Sequence, residues 1–471
     1  MLSPHPLQLP EIISHVASYV QEYSLPACAQ VSKAWYQALV PFLWRNVSLD
    51  RPPSPEAIKS NSRFIKSLAI NFTLPQEYFT LRCPNLVSLS MKHSISPDGA
   101  DGLELVANHP SLIHLELNGP LRQYPEWFWD KLVGFRHLKV LTLTCLNIGE
   151  AHIDKFWQLC TQLERLDIHY QRITGRGNLS CMQFPHLREL RTGYFYGSKV
   201  PLTLDFMQRC PGLRSFEWTL DQDVNQLFIP GFEKLISART WPHLQSISTW
   251  MLDDEDDLSR IVGNMQQITH FCAEELSVTP KLMGLLQTHF SRLQILDLTG
   301  NKGCTSAMAQ EIMSSCPLLT MFIASSIDAI DIVQGRPWVC LNLKVLNLRF
   351  CFDAATLGYM QPLVFDQLAR LTRLEELYVN GSAVVMDSRH PPGFHELCDM
   401  RLVHGLGKLS TLRLLRMVNF SNTIQRMGER EVDWVLGHWR NLECIFGRLN
   451  TQDMEIDTIL NERLQEHGIA N

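Results

Sequence analysis

Two short stretches decide the fold: residues 112–117 read Leu-Ile-His-Leu-Glu-Leu, and residues 138–143 read Leu-Lys-Val-Leu-Thr-Leu. Both follow the pattern Leu-x-x-Leu-x-Leu, and their starts lie 26 residues apart. Side chains of an extended strand alternate between its two faces. The second and third leucines should therefore point into a core, while the residues between them point outward. The pattern predicts one short strand in each repeat.

The same pattern, with other apolar residues allowed, recurs along most of the chain. Clean copies begin at Leu86, Leu112, Leu138, Leu163, Leu293, Leu343, Leu374 and Leu412, and weaker ones at Ile65, Leu187, Leu213, Leu244, Ile268, Leu319 and Leu442. Successive starts lie 21 to 31 residues apart as far as Leu343, and 30 to 38 residues apart after it. Most spacings fall within the leucine-rich-repeat range of about 20–29 residues. The sequence therefore predicts an α/β leucine-rich-repeat solenoid over residues 51–450, a horseshoe of short parallel strands with helical returns.

The segments between the strands are predicted to return the chain as helices. Thr279-Pro280 places an N-cap residue before a proline at the first helical position, and Ser96-Pro97 does the same. Residues 150–160 carry large apolar side chains at helical spacing. No single repeat can bury its own apolar face, so stacking must stabilise the array. The polar, acidic segment 451–471 is expected to close the stack as a cap or to fray as a tail.

The composition narrows the class of protein. The 471 residues are 45% hydrophobic and 19% charged, which is ordinary for a folded protein, and the net charge of -6 argues against nucleic acid as a partner. No run of about 18 apolar residues could span a membrane. The 13 cysteines form no Cys-x-x-Cys pair, and no signal segment follows Met1. We therefore expect free thiols in a reducing compartment, the cytoplasm or the nucleus or both.

Three stretches imitate chemical motifs without matching them. The acidic run 253–257 is best read as a solvated connector. His390, His395 and Cys398 lie close together, but their spacing matches no zinc pattern. Residues 405–410 imitate a phosphate loop without its first glycine and without the hydroxyl residue after the lysine. We therefore predict no catalytic residues, no metal and no cofactor, and no enzymatic activity. The cysteines near the ends of the return helices are expected to pack as small apolar residues.

Residues 1–50 do not follow the repeat. Apolar residues form one helical stripe from Ile12 to Val20, and a further stripe of Val31, Trp35, Leu39 and Leu43 has four-residue spacing. A second helix start lies at Ser24-Leu25-Pro26. The pattern predicts a small domain of three short helices, which would gain stability by docking onto the first repeat or onto a partner.

The stretches Leu-Pro-Glu-Ile-Ile at 9–13, Cys-Ala-Gln-Val-Ser-Lys-Ala-Trp at 28–35 and Phe-Leu-Trp-Arg at 42–45 resemble the F-box motif. The whole chain resembles an F-box/leucine-rich-repeat protein of the kind common in fungi. That resemblance implies an F-box that docks on the Skp-family adaptor of a cullin–RING ubiquitin ligase, with repeats that hold the target. It also assigns eight positions to the adaptor face or the F-box core: Leu9, Pro10, Ile12, Ile13, Leu25, Val31, Trp35 and Leu43.

The target should bind the outward, concave face of the strands. Seven residues predicted on that face are of types found in binding sites: Trp250, Asp297, Arg349, Tyr378, Asn380, Arg416 and Arg448. The three arginines could form a basic corner that suits a phosphate or a terminal carboxylate. The insertion at 384–392 could overhang the same face.

Two functions follow from these patterns. The first is a non-catalytic substrate-recognition subunit of an SCF-type ubiquitin ligase, with an unknown protein as its target. The alternative is a leucine-rich-repeat scaffold or inhibitor that binds one protein and has no ubiquitin-ligase role. The first fifty residues distinguish the two, because only the first function needs an adaptor.

Overall fold

The protein was analysed as a computed structural model. The structure describes residues 9–20, 24–50, 54–71, 76–92, 101–122, 124–169, 172–173, 175–193, 200–219, 222–250, 255–275, 278–301, 303–353, 355–379, 398–421 and 423–470. The chain divides into two compact units, Met1–Leu213 and Arg214–Asn471.

The first unit begins with three helices and continues with alternating strands and helices. Its helices are α1 (Pro10–Ala17), α2 (Leu25–Ala29), α3 (Lys33–Leu43), α4 (Pro55–Asn61), α5 (Asp101–Ala107), α6 (Glu126–Val133), α7 (Ile153–Cys160) and α8 (Val200–Gln208). Its strands are β1 (Asn46–Leu49), β2 (Ser67–Ile70), β3 (Ser88–Lys92), β4 (His114–Arg122), β5 (Val140–Ile148), β6 (Arg165–His169), β7 (Arg172–Ile173) and β8 (Glu189–Gly193).

The strands of the first unit pair in parallel, and the leucine pattern sets their register. The sheet runs β1-β2-β3-β4-β5-β6-β8, with β7 beside the end of β5. The second apolar residue of each copy lies opposite its counterpart in the next strand, as Leu115, Leu141 and Leu166 do. All three side chains are fully buried. The predicted repeat, with its inward and outward alternation, is confirmed here.

Strand β1 was not predicted, because it lies within residues 1–50. Val47 pairs with Leu68 and Leu49 pairs with Ile70, so β1 is the strand that covers the repeat beginning at Ile65. Trp44, Val47 and Leu49 have the same spacing as the later copies. The helical segment therefore passes directly into the sheet.

The second unit repeats the same plan. Its helices are α9 (Gln222–Ser237), α10 (Glu255–Asn264), α11 (Pro280–Gln287), α12 (Ser306–Ser315), α13 (Ala329–Gln334), α14 (Leu357–Leu368), α15 (Glu429–His438) and α16 (Met454–Glu466). Its strands are β9 (Ser215–Thr219), β10 (Ser246–Trp250), β11 (His270–Glu274), β12 (Ile295–Asp297), β13 (Met321–Asp328), β14 (Val345–Cys351), β15 (Glu376–Tyr378), β16 (Met417–Asn419) and β17 (Cys444–Phe446). They pair in parallel in chain order.

One copy in the second unit has a different phase from the predicted one. The sequence predicted that Leu415 and Met417 point inward and that Val418 points outward. Val418 instead pairs with Leu377 and is fully buried, while Met417 pairs with Glu376 on the other face. The copy therefore starts at Leu415, three residues later than predicted. Stretch 412–420 has apolar residues at the positions that both phases require, and the backbone ladder with β15 selects the second.

The helical returns follow the prediction where the structure describes them. α11 begins at Pro280 after the N-cap Thr279, and it buries Leu282 and Leu286. α7 buries its whole apolar stripe. Cys83, Cys160, Cys210 and Cys316 are all buried among apolar side chains, which confirms their packing role. The predicted start at Ser96-Pro97 lies outside the described residues.

The last segment closes the exposed edge of β17. α16 is capped by Asp453, whose carboxylate accepts hydrogen bonds from the amides of Glu455 and Ile456. The helix buries Leu460 and Leu464. After the helix, the amide of Ile445 donates to the carbonyl of Ala470 over 2.8 Å. The amide of Ala470 donates in turn to the carbonyl of Glu443. An edge strand with unpaired backbone groups would invite aggregation, so this cover protects the end of the sheet.

Candidate protein-binding surfaces

The three N-terminal helices share a small apolar core. It consists of Ile13, Ala17, Leu25, Ala29 and Leu39, with Trp35 and Leu43 packed against it as partly buried side chains. α1 starts at Pro10, and the carbonyl of Leu9 accepts from the amides of Ile12 and Ile13. α3 starts after Ser32, whose hydroxyl accepts from the amide of Trp35 over 3.2 Å.

This core divides the eight residues predicted at the adaptor face. Ile13 and Leu25 are buried, so their side chains are not accessible to a partner. Trp35 and Leu43 hold α3 against the core. Leu9 is half-buried at the helix start, and Pro10, Ile12 and Val31 are exposed. Of the eight, Pro10, Ile12 and Val31 are therefore the residues whose exposure suits contact with an adaptor.

Two further exposed aromatic residues were missed by the sequence reading. Tyr19 is 77% exposed and Tyr36 is 55% exposed. Val31 and Ile12, which were predicted, are 66% and 36% exposed. We call these four residues the N-terminal apolar set. Tyr19 and Tyr36 lie off the predicted apolar stripes, and a large apolar residue off a stripe is the signal that could have found them. A high density of exposed large apolar residues on so small a domain is typical of an interaction surface.

The strands of both units present two outward rows. Numbering each copy from its first apolar residue, position three and position five face outward, while positions four and six are buried. In the first unit these rows are polar except for Val140 and Ala69. They are Asn46, Ser67, Ser88, His114, Val140, Arg165 and Glu189 at position three, and Ser48, Ala69, Ser90, Glu116, Thr142, Asp167 and Arg191 at position five.

The polar groups of the first unit's rows are largely satisfied by one another. Ser90 donates to Glu116 over 2.7 Å, and the Ser88 hydroxyl lies 3.1 Å from Nδ1 of His114. Arg165 pairs with Glu189 in the next strand. Burial lowers the pKa of His114, an effect that Glu116 partly offsets and Arg165 reinforces. These contacts stabilise neighbouring strands and leave little unmet bonding capacity for a ligand.

The outward rows of the second unit become largely apolar from β12 onward, with Glu376, Asp297, Asn347 and Asn419 as the polar members. Position three carries Ile295, Met321, Val345, Glu376, Met417 and Cys444, and position five carries Asp297, Ile323, Asn347, Tyr378, Asn419 and Phe446. Phe446 is 43% exposed and the others are half-buried. Neighbouring strands lie about 4.8 Å apart, so the six strands span roughly 24 Å. We call this surface the apolar strand face.

Three of the predicted target-binding residues lie on the outward side of these strands. Asp297 accepts hydrogen bonds from the amide and hydroxyl of Thr299 and so fixes the turn after β12. The hydroxyl of Tyr378 lies 3.1 Å from Glu376 and 3.0 Å from the sulfur of Met417. Burial first, and Glu376 next, raise the pKa of Tyr378 to about 12, so its phenol stays neutral and can donate. Arg349 lies in β14 opposite Ser326.

The remaining four predicted residues are placed differently. Arg416 precedes β16 instead of facing outward within it, and its guanidinium makes two hydrogen bonds with Glu443, of 2.9 and 3.0 Å. The predicted basic corner of three arginines on the outward face is therefore wrong. The copy starts three residues later than predicted, which places Arg416 before the strand, at the edge of the sheet. Arg448 is exposed after β17. Trp250 ends β10 opposite Glu274, and its side chain lies outside the described part of the structure, as does Asn380.

Sequence reasoning missed Met417 as an outward residue and gave no weight to Met321 and Ile323. Their common feature is an apolar residue at an outward position, which period-two patterning shows once the register is known. Burial raises the pKa of the Cys444 thiol on the same face. It also raises the pKa of Cys83 to about 11, so these thiols are protonated packing groups.

No grouping of three or more His, Cys, Asp or Glu that could hold a metal ion occurs within the described residues. Of the three residues His390, His395 and Cys398, whose spacing matches no zinc pattern, Cys398 is buried and both histidines lie outside the described residues. Within the described ranges, no helix has the length and apolar character needed to cross a membrane.

Comparison with known proteins agrees with the N-terminal reading. Residues 9–50 match the family model described as F-box-like. Among solved structures, an internalin (inlF) from Listeria monocytogenes is similar to this chain at 12% identity with a TM-score of 0.33, over 86% of this chain and 92% of that one. No curated protein matches. The chain thus combines an F-box-like segment with leucine-rich repeats.

Proposed function

We propose that this chain is the substrate-recognition subunit of an SCF-type cullin–RING ubiquitin ligase. In this function the F-box-like segment docks on the Skp-family adaptor and the repeats hold a target protein. The subunit has no catalytic role of its own, because the ligase chemistry belongs to other subunits. It works in the cytoplasm, the nucleus or both.

The observation that carries the proposal is the F-box-like segment together with its exposed apolar side chains. Residues 9–50 match the family, and the N-terminal apolar set leaves Tyr19, Val31 and Tyr36 more than half exposed. Exposed aromatic and aliphatic side chains of this size gain free energy when a partner removes them from water, at roughly 25 cal/mol for each Å² buried. A docking partner is the simplest reason for their exposure.

The apolar strand face supports the second half of the proposal. It presents methionine, tyrosine and phenylalanine side chains, which are enriched in the centres of protein interfaces. Its only charged residues are Glu376 at position three and Asp297 at position five, and Asp297 is already bonded to Thr299. This surface suits a protein target that contributes apolar side chains, and it makes a peptide recognised only through charge a poor match.

The test is co-purification of the adaptor with the intact chain. A triple variant Ile12→Asp, Val31→Asp and Tyr36→Asp should lose the adaptor while the repeats remain folded, since all three side chains are exposed. The matched control is Val403→Asp, which puts the same charge on a side chain that is 74% exposed in the second unit. It should retain the adaptor.

Failure of the intact chain to bind any Skp-family adaptor would overturn the proposal. A scaffold or inhibitor without a ligase role would then be the better description. Equal binding by wild type and the triple variant would place the adaptor on a different surface.

A further inference from the structure

A groove in the first unit lies where the last N-terminal helix meets the first two strands. It has a volume of about 230 Å³ and is open to solvent on one side. Aromatic rings and a proline form its walls and basic side chains surround it. The lining residues are Pro41, Phe42, Arg45, Arg63, Phe64 and Lys66.

The charged side chains that line this groove are all basic. Across the part of the chain that the structure describes, Arg45, Arg63 and Lys66 form no ion pair with a carboxylate. Three positive charges therefore surround one small groove in a chain whose net charge is -6. Such a cluster attracts anionic groups, and its aromatic walls offer a place for an apolar side chain between them.

The edge row shows how a basic residue at this position can be neutralised. Position two of each copy lies just before its strand, and some basic residues of this row pair with the next copy. Lys139 pairs with Glu164 at 3.2 Å, and Lys344 pairs with Glu375 at 2.8 Å. Arg45 and Lys66 occupy the first two places of the same row. These two neighbouring places therefore both carry a positive charge.

The groove is held rigidly by the start of the sheet. The carbonyl of Arg45 accepts from the amides of Lys66 and Ser67, at 2.9 and 3.0 Å. The guanidinium of Arg63 stacks 4.6 Å from the centre of the Phe64 ring. Because the backbone is fixed in the ladder, a ligand would meet a preformed site and would lose little free energy in ordering it.

An apolar ledge continues the groove along the edge row. The next two places carry Val87 and Ile113, which are 37% and 45% exposed. The backbone ladder connects them directly to Lys66, since the amide of Val87 donates to the carbonyl of Lys66 and that of Ile113 to the carbonyl of Val87. From Arg45 to Ile113 the row crosses three strand spacings, or about 14 Å.

We propose that the groove and the ledge together bind an acidic, amphipathic segment of a partner protein. Its carboxylates pair with Arg45, Arg63 and Lys66, one apolar side chain enters between Phe42 and Phe64, and others cover Val87 and Ile113. A helix of roughly ten residues has the required length of about 15 Å. This site is distinct from the N-terminal apolar set and from the apolar strand face, so it stands independently of the ligase proposal.

The test uses three fluorescein-labelled peptides of roughly ten residues, read by fluorescence anisotropy on the full chain. The first has glutamates on one helical face and leucines with one phenylalanine on the other. The second replaces every glutamate with lysine, and the third replaces every apolar residue with serine. We expect the first peptide alone to bind.

The double variant Arg45→Glu, Lys66→Glu should weaken that binding at least about tenfold, because two attractive pairs become repulsive. The milder Arg45→Gln, Lys66→Gln variant should weaken it less, with unchanged unfolding in urea. Arg188→Glu is the matched control, since it reverses an exposed cation that lies in the edge row five copies beyond Lys66. It should change binding by less than about twofold.

Binding of the first peptide by the double-glutamate variant as tightly as by wild type would overturn the inference. So would an absence of binding by wild type, equal binding of the serine peptide, or an equal loss in Arg188→Glu. The last two results would indicate general charge attraction without a site.

Discussion

The outward rows of the two units lie on strands of the same repeat but differ in the polarity of their side chains. In the first unit, serines, acids and bases bond across the strands, as Ser90 does with Glu116 and Arg165 with Glu189. In the second unit from β12 onward, the equivalent places hold Met321, Val345 and Met417.

The difference shows which surface is available to a partner. Polar rows whose groups already bond to one another gain little from a ligand, because each new bond replaces an existing one. Half-buried apolar rows still expose surface that a partner can remove from water. The repeat fixes the backbone in both units, and the residues at positions three and five decide what the outward strand face of each unit can bind.

The largest effect is expected from breaking the inward and outward alternation itself. Val418→Asp puts a carboxylate into a fully buried position and should lower the unfolding free energy by about 3 kcal/mol or more. Met417→Asp, one residue earlier and on the outward face, should cost less than about 1 kcal/mol. Urea unfolding of both variants measures the difference. Similar losses in the two variants would contradict the register of this copy.

Charge on the apolar strand face should weaken target binding without unfolding the protein. Met417→Asp combined with Phe446→Asp should weaken a co-purifying target by about 30-fold, the size of a typical hot-spot loss. Ser67→Asp with Val140→Asp makes the same change in the first unit's rows and should leave binding within about twofold. If the first-unit pair has the greater effect, the comparison between the units is reversed.

Acidification should affect the first unit's rows through His114. Burial lowers its pKa below the ordinary value of 6.5, so the unfolded chain takes up the proton first. The resulting stability is present above pH 6.5 and is lost as the pH falls through the lowered folded pKa. His114→Met, which installs the residue type of the second unit, should remove this part of the decline. Urea unfolding of wild type and His114→Met at about pH 7.5 and about pH 5.5 measures this change. The same loss of stability on acidification in both proteins would contradict a contribution from His114.

The smallest effect is expected at the edge row. Arg416→Ala and Glu443→Ala in a double-mutant cycle should give a coupling of about 0.2–1 kcal/mol, since the pair is exposed on the Arg416 side. Target binding should not change in Arg416→Ala. Loss of the target in that single variant would restore Arg416 to the binding surface.

The sequence was sufficient for the repeat and insufficient for its phase in one copy. Leucine spacing predicted the strands because one buried face demands the same apolar residues in every copy. It failed at 412–420, where Leu412, Leu415 and Met417 fit the pattern as well as Leu415, Val418 and Phe420 do. Only hydrogen bonds to the neighbouring strand decide between two such phases.

The candidate sites were predicted less well for a related reason. Helical spacing identified Ile13 and Leu39 as apolar positions without distinguishing core from surface. Tyr19 and Tyr36 were passed over because they lie off the stripes. The groove around Arg45 and Arg63 depends on residues 18 positions apart that the turn from α3 into the sheet brings together, and no local pattern contains that information.

The central claim is that one chain carries two separate protein-binding surfaces, one for the adaptor and one for the target. Affinity purification of wild type, the Ile12→Asp, Val31→Asp, Tyr36→Asp variant and the Met417→Asp, Phe446→Asp variant, with quantitative mass spectrometry, tests it most directly. Wild type should retain adaptor and target, the first variant only the target, and the second only the adaptor. Retention of no adaptor by wild type, or loss of both partners together in either folded variant, would contradict the claim.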